Sequence, residues 1–557
     1  MKNASYLITI VFLFGFMSAF SQVTKTIQSN FNFNYTIKPI PNEKGMDFKV
    51  YLNFKSDSTI VFSMPKDYYG VDDYQQYFKD VTASNESTLE KTTEKYERKA
   101  IPNSKNEIHI SYTLKLTKMD MDKDFFAPGI SSSSFHLAGS QILLPIGRLE
   151  DANTYNIRII DAPSDWNFYS SFSNTPLNMN FTGSYWSILT TAFGGGNQRM
   201  ISFKIKDKPV SVFIQGEYDN IDETTLISEI KNLINYQRDW TNDYSQPYYT
   251  ISLLERENSL NGTAPGNLFV CFVDPNATKQ QVLKVISHEM FHYWLPNKVQ
   301  IETENGESDL KYAWLYEGFT EYFSRKILYE MNMLLLNDYI ETFNTDIFLI
   351  ANNEQANISY EKLLERRENK GLGTNLHKLS YHRGNLMALK WESDINKFNP
   401  NFTLKQFFLE VLNVCNKNDG YIKFDDFINI GKKYGIGVRA DYEKYIIKGK
   451  SIDIPKDAFS ETHQLIIVDL PSFDRGYELK KGKIWKLKKI KKKSNAYKAG
   501  LRNGMHFLNS KNAYIFRTSW LPNKPIEVQI KLKDGTEKWF EYFPAGEAIP
   551  LKRYIRN

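Results

Sequence analysis

Cysteine and histidine are the scarce residues of this 557-residue chain, with two cysteines, Cys271 and Cys415, and eight histidines. Two thiols exclude a disulfide scaffold and leave room for one bridge at most. Charge of a single sign is also lacking. Seventy basic residues against 64 acidic ones leave a formal +6, a weak field over this length and a poor basis for nucleic-acid binding. Beyond the first segment there is no long apolar run, and a mean hydropathy of −0.47 excludes a polytopic membrane protein. What is present is 41% hydrophobic and 15% aromatic residues, enough bulk for several cores, and a length that calls for three or four domains.

The first segment stands apart. Lys2 precedes an apolar run from Tyr6 to Phe16, followed by the small residues Ser18 and Ala19, which is the pattern of a signal peptide. Cleavage after Ser21 would start the mature chain at Gln22. The run is short of the ~20 residues an anchoring span needs, and no cysteine near the cut offers a lipid attachment point. The expectation is an exported protein, periplasmic or secreted, with no stable membrane insertion after cleavage.

From Gln22 to about Tyr218, short runs such as Phe48–Leu52 and Ile201–Ile205 alternate apolar and polar residues between Asn, Ser, Pro and Gly clusters, the signature of an antiparallel β domain. The Gly194-Gly195-Gly196 triplet lacks the lysine of a phosphate loop and reads as a hairpin or loop. The period then changes: Leu226, Ile227, Ile230, Leu233 and Ile234 share one helical face. Strand-like runs follow at Tyr248–Leu254 and Asn267–Val273, then a helix opened either by Asp274-Pro275 or by a Thr278/Gln281 capping box and closed by Pro296. Further helices are expected over Leu310–Leu336, Tyr381–Ile395 and Leu404–Val414. Beyond Ile454 the period returns to two, with turns at Asn503-Gly504 and Asp534-Gly535.

Within the helix that Pro296 closes stands His288-Glu289-Met290-Phe291-His292. Histidines four residues apart stack on one helical face and can reach one zinc ion, while the glutamate between them can touch a water at that metal. The competing reading is two histidines on an ordinary core helix. A catalytic zinc takes a third protein ligand, and the metzincin pattern does not supply it, because Leu295 and Lys298 occupy the places of its glycine and histidine. Of the acids Glu302, Glu304, Glu307, Asp309, Glu317 and Glu321, the first four lie in a polar, loop-like stretch. Glu317 instead sits in Trp314-Leu315-Tyr316-Glu317-Gly318-Phe319, where a carboxylate without a cation would be costly to bury. Glu321, one turn on, either orients a ligating histidine from behind or is a solvated helix residue.

These residues resemble the gluzincin metallopeptidases, and within them the glycyl aminopeptidase family. The resemblance rests on His288-Glu289-x-x-His292-x-Trp294 and Trp314-Leu315-x-Glu317-Gly318-Phe319-Thr320-x-Tyr322. The interval of 317 minus 292, or 25 residues, is longer than in aminopeptidase N relatives. Tyr381-His382-Arg383-Gly384 is similar to the family's Tyr-x-Lys-Gly segment, and Tyr442–Gly449 to its stretch before the last domain. The resemblance implies a zinc peptidase with one Zn2+ per chain held by His288, His292 and Glu317, Glu289 as general base, and Tyr381 as hydrogen-bond donor to the oxyanion. For Tyr381 the residues alone offer only a core tyrosine among 34.

Together with the residue patterns above, the expected architecture is a multidomain α+β fold: signal peptide 1–21, N-terminal antiparallel β domain 22–218, thermolysin-like catalytic domain 219–335, helical domain 336–455, with the site between the last two, and a C-terminal β domain 460–557. That last domain resembles a PDZ domain through Ser494–Met505, in degraded form, and either captures a peptide ligand or is purely structural. Relatives carry a Gly-Gly-x-Glu-His-like segment upstream of the zinc helix, whose glutamate holds the substrate's free amine. Here the stretch is Asn261-Gly262-Thr263-Ala264-Pro265-Gly266-Asn267. Gly262, Ala264 and Gly266 remain suited to an extended peptide, but the acid is gone, which puts aminopeptidase specificity in doubt. The expected substrate is a peptide or protein. The alternatives are an inactive peptide-binding relative or a zinc hydrolase acting on a non-peptide bond. Nine lysines between Lys480 and Lys493 read as the solvated face of protected edge strands or as an attractor of anionic surfaces.

Overall fold

Alternation with period two places every second side chain on one face. In the strands Asn32–Asn42 and Gly45–Lys55 that face carries Phe33, Tyr35, Ile37, Phe48, Val50 and Leu52, all buried. The chain, described here from a computed structural model, is characterised over residues 31–65, 73–117, 129–188, 191–257, 259–303, 309–370, 376–480, 484–511 and 525–557. The expected signal peptide lies outside these residues, as do Glu304, Glu307, Lys481 and Lys483. The chain divides at Asn297/Lys298 into two compact units.

In the first unit a six-stranded sheet orders its strands Asn178–Gly183, Asn153–Ile159, Asn32–Asn42, Gly45–Lys55, Glu107–Thr117 and Phe78–Ala83. Its inner face shares a core with a four-stranded sheet, where Phe48 meets Phe135 edge to face at 5.0 Å. Gly194-Gly195-Gly196 is not a loop. It ends the buried strand Ala192–Gly196, paired on both sides, and a Cβ on Gly194 or Gly195 would collide with the rings of Tyr169 and Phe168. The glycines thus give neighbouring aromatics room inside a sheet.

A five-stranded sheet follows, built from β1 (Arg199–Ile205), β2 (Lys208–Gln215), β3 (Tyr249–Glu255), β4 (Leu260–Thr263) and β5 (Leu268–Val273) in the order β1-β2-β3-β5-β4. β2, β3 and β5 run parallel, whereas β4 is an antiparallel edge. β1 and β2, counted by their alternation with the preceding β domain, therefore belong to this sheet. The crossover from β2 to β3 contains α1 (Glu223–Thr241), with Leu226, Ile230, Leu233 and Ile234 buried as the period required. The helix after β5 is α2 (Lys279–Phe291). Its start is set by the capping box and not by Asp274-Pro275: Thr278 N–H donates to Gln281 Oε1 at 2.8 Å, and Gln281 N–H to Thr278 Oγ1 at 3.3 Å.

In the second unit the helix expected over Leu310–Leu336 is divided. A π turn occupies Trp314–Phe319 and α3 spans Thr320–Glu330, where Asn332 in the left-handed region (φ 56°) stops it. Two helices beyond those expected follow, α4 (Leu336–Ala351) and α5 (Tyr360–Lys370). α6 (Leu379–Phe398) and the helix Leu404–Lys417 agree with the periodicity. The C-terminal region forms a two-stranded ribbon, β6 (His463–Phe473) with β7 (Ala545–Arg556), and a five-stranded antiparallel meander between them. Its turns fall on Gly504 (φ 86°) and Gly535 (φ 89°). β7 is fastened to α4 by Tyr554 N–H donating to Asn344 Oδ1 at 2.8 Å and Asn344 Nδ2 donating to the Tyr554 carbonyl at 3.0 Å. Cys271 and Cys415 are buried free thiols. Among the described residues no helix is long and apolar enough to cross a membrane.

Candidate metal centre and active site

α2 presents His288 and His292 from the end of a locally specified helix, with Val282, Leu283, Ile286, Met290 and Phe291 buried around them. The two rings stand perpendicular with centroids 4.7 Å apart. His292 Nδ1 lies 2.8 Å from the Leu295 carbonyl oxygen. A carbonyl only accepts, so the proton sits on Nδ1 and Nε2 keeps its lone pair for a metal. Glu289, between them, is half-buried. Its charge is felt by Tyr249 of β3 and Cys271 of β5, both of which burial, and then Glu289, push well above their ordinary values.

Glu317 is 2% exposed, within the π turn among Trp314, Leu315 and Phe319. The Tyr316 hydroxyl oxygen accepts from Ile301 N–H at 2.9 Å, anchoring the turn. His288, His292 and Glu317 each offer one ligand atom within 4.8 Å of the others, and all three are buried. Two imidazoles and one carboxylate in that compass are the donor set of a catalytic zinc with a position left for water, so the residues present fit the metal the sequence led us to expect.

The π turn and α6 lie backbone to backbone. A Cβ on Gly384 would collide with the Trp314 carbonyl oxygen, and one on Gly318 with the backbone of Gly384. This contact couples the motif that holds Glu317 to the one that holds Tyr381. Tyr381 is buried on α6, and the ammonium of Lys378 lies 3.7 Å from the centre of its ring. His377 lies close enough to Glu317 to feel its charge. Burial first, and then Lys378 and Arg367, nevertheless hold its imidazole down at about 4. Arg383 donates to the carbonyls of Ala356, Ile358 and Gly449 at 2.6, 3.2 and 3.3 Å, which ties α6 to the Tyr442–Gly449 motif. Burial pushes its guanidinium down to about 10.

Glu321 pairs with Arg325 at 3.0 Å, and Arg325 reaches Asp346 of α4 at 3.5 Å. Asp346 accepts from His382 Nδ1 at 2.8 Å and from Asn385 Nδ2 at 2.6 Å. Gly262 lies on edge strand β4, in register with Cys271; Ala264 follows the strand, and Gly266 turns the chain at φ 58°, its Cα hydrogen facing the Ser171 carbonyl. His377, Lys378 and Asp346 escaped the motif reading. His377 had a signal, as one of only eight histidines.

Residues 261–408 match the model of the Peptidase family M1 domain. The chain carries a peptidase family M1 domain. The matched span begins in β4 and runs through α2, the π turn and α6, and with this domain the chain is a zinc metallopeptidase. The fold is similar to that of an aminopeptidase N family protein from Idiomarina loihiensis, with a TM-score of 0.66 at 16% identity over 94% of this chain and 98% of that one. An M1 zinc metallopeptidase from Deinococcus radiodurans aligns with a TM-score of 0.43 at 12% identity over 76% of this chain and 95% of that one. No curated protein matches the chain.

Proposed function

We propose that this M1 domain hydrolyses peptide bonds using His288, His292 and Glu317 as zinc ligands, Glu289 as general base and Tyr381 as oxyanion donor. The observation that carries this reading is the convergence of the three buried ligand atoms within 4.8 Å, with Glu289 between the two histidines in sequence. Zinc, when bound, acts as a Lewis acid toward water and the substrate carbonyl. Glu289 takes the proton of the attacking water and returns it to the departing amine. Tyr381 donates its hydroxyl proton toward the carbonyl oxygen as negative charge gathers there. The His292 Nδ1–Leu295 hydrogen bond keeps that imidazole in the ligating tautomer throughout.

We further propose that cleavage does not depend on a free substrate amine. Residues 258–273, which cover β4 and β5, contain no aspartate or glutamate, so no carboxylate stands there to pair with an α-ammonium. The protein is read as exported, with processing after Ser21, and its C-terminal region as PDZ-like on the strength of Ser494–Met505. N-terminal sequencing of the protein recovered from the exported fraction tests the first point: Gln22 at the new end is the expected result. Titration of short C-terminal peptides against a Glu289→Gln chain tests the second.

The deciding experiment pairs metal analysis with hydrolysis of a mixed peptide library by wild type and Glu289→Gln. Expected are one zinc in each protein and, for the variant, a rate lower by about 10²–10⁴-fold. Zinc bound with no cleavage by wild type would remove the hydrolytic reading. Free-amine and N-acetylated forms of one peptide should be cut at similar rates; a strong preference for the free amine would overturn the specificity reading.

A further inference from the structure

Lys378 leads into α6 in right-handed helical conformation (φ −71°, ψ −11°), directly after the helical residues 376 and 377, and its carbonyl accepts from His382 N–H at 3.2 Å. The ammonium is 3.7 Å from the centre of the Tyr381 ring, well inside the range over which an aromatic quadrupole attracts a cation. The His377 ring also approaches Tyr381, at 5.8 Å between centroids and 53°. It remains neutral at ordinary pH because burial, Lys378 and Arg367 hold its imidazole at about 4. Lys378 thus holds a full positive charge against the face of this phenol.

We propose that Lys378 is a positioning residue for peptide hydrolysis: acting through the ring of Tyr381, it holds the phenol in place and strengthens its O–H as a donor to the developing oxyanion. This rests on the role given to Tyr381 above. A positive charge against the ring draws electron density from the oxygen, so the O–H donates more strongly. The gain is larger toward an anionic oxygen than toward the neutral carbonyl of bound substrate. The effect therefore falls on kcat more than on KM.

Lys378→Met keeps the length and apolar stem and removes the charge, whereas Lys378→Arg keeps the charge. With the full chain loaded with zinc, Lys378→Met should lower kcat about fivefold to tenfold with KM within about twofold, and Lys378→Arg should stay within about twofold of wild type. In a Tyr381→Phe background the same Lys378→Met change should cost nothing further, because the charge acts through the phenol oxygen. A second readout is independent of turnover. In metal-free protein labelled with ¹³C-tyrosine, the Tyr381 resonance, assigned by its loss in Tyr381→Phe, should move in Lys378→Met and stay near its place in Lys378→Arg. Wild-type kcat in Lys378→Met, an equal loss in the Tyr381→Phe background, or an unmoved resonance overturns this inference and leaves the reading of Tyr381 standing. A fully active Tyr381→Phe removes that reading instead, and the inference with it.

Discussion

Helix α2 and the pair formed by the π turn and α6 both present site residues, but they are specified by different physics. α2 carries its own instructions: a Thr278/Gln281 capping box, a buried apolar face and histidines at the spacing of one turn. A reader of residues 274–296 alone can place its start and its chemistry. The π turn has no such local signal. No side chain caps it, and its position depends on the approach of Gly318 to Gly384, 66 residues away in sequence by 384 minus 318. Local propensity makes the first half of the ligand set, and tertiary contact makes the second.

The sharpest way to break this contrast is Gly384→Ala. The new Cβ meets the Trp314 carbonyl oxygen, a backbone atom that cannot swing aside, so a loss of about 3 kcal/mol or more is expected, with zinc retention lost as well. Urea denaturation with parallel metal analysis measures both. An alanine tolerated there without cost would mean that the π turn is held by something other than this contact.

Next in size is Glu317→Gln, which keeps the shape but removes the charge. Zinc affinity should fall by more than about 100-fold, or 2.7 kcal/mol, while the fold survives, as followed by competition with a chelating dye. Full retention would show that another acid completes the ligand set.

Acid exposure should act on the second unit through His377. Its imidazole is held at about 4 in the native state, by burial first and then by Lys378 and Arg367, whereas in the unfolded chain it takes up a proton near pH 6.5. The folded value is the lower one. The neutral ring therefore contributes its full stability above about pH 6.5, and that contribution is lost as pH falls toward 4. His377→Leu should flatten the fall in denaturation midpoint between pH 7 and pH 4.5. An unchanged slope would assign the acid sensitivity to other groups.

The smallest effect is expected from Thr278→Ala, which opens the capping box of α2 for about 1 kcal/mol without changing zinc content. A shift in melting temperature with metal binding intact is the predicted result. The contrast with Gly384→Ala then becomes quantitative: a lost cap weakens a helix, and a forced Cβ displaces a ligand.

The same division explains what could be read from the residues. The His288-Glu289-x-x-His292 helix, the capping box, the five-stranded sheet's apolar runs and both C-terminal glycine turns follow from patterns a few residues long. The glycine triplet did not, because its role is to leave room for Tyr169 and Phe168 from a strand it pairs with. Nor did the break between the π turn and α3, where an unbroken apolar pattern hides a change of helical geometry. α5 was hidden by its charge: Glu361, Lys362, Glu365, Arg366 and Arg367 leave only Leu363 and Leu364 to mark an apolar face. α4 was not expected either, although its buried residues Tyr339, Ile340, Phe343 and Ile347 form an apolar stripe at helical spacing.

The fastening of α4 to β7 has a consequence in time. Asn344 and Tyr554 exchange two hydrogen bonds across 210 residues, and α4 also carries Asp346, which holds His382 next to Tyr381. At the usual pace of synthesis, about 5–20 residues per second, α4 leaves the ribosome on the order of 10–40 s before its partner strand. During that interval Asn344 keeps its bond to Glu341 on the same helix, at 3.0 Å, but lacks both of its bonds to Tyr554. The neighbourhood of Tyr381 is therefore among the last parts of the molecule to settle, and a nascent chain carrying every zinc ligand is still without its finished scaffold.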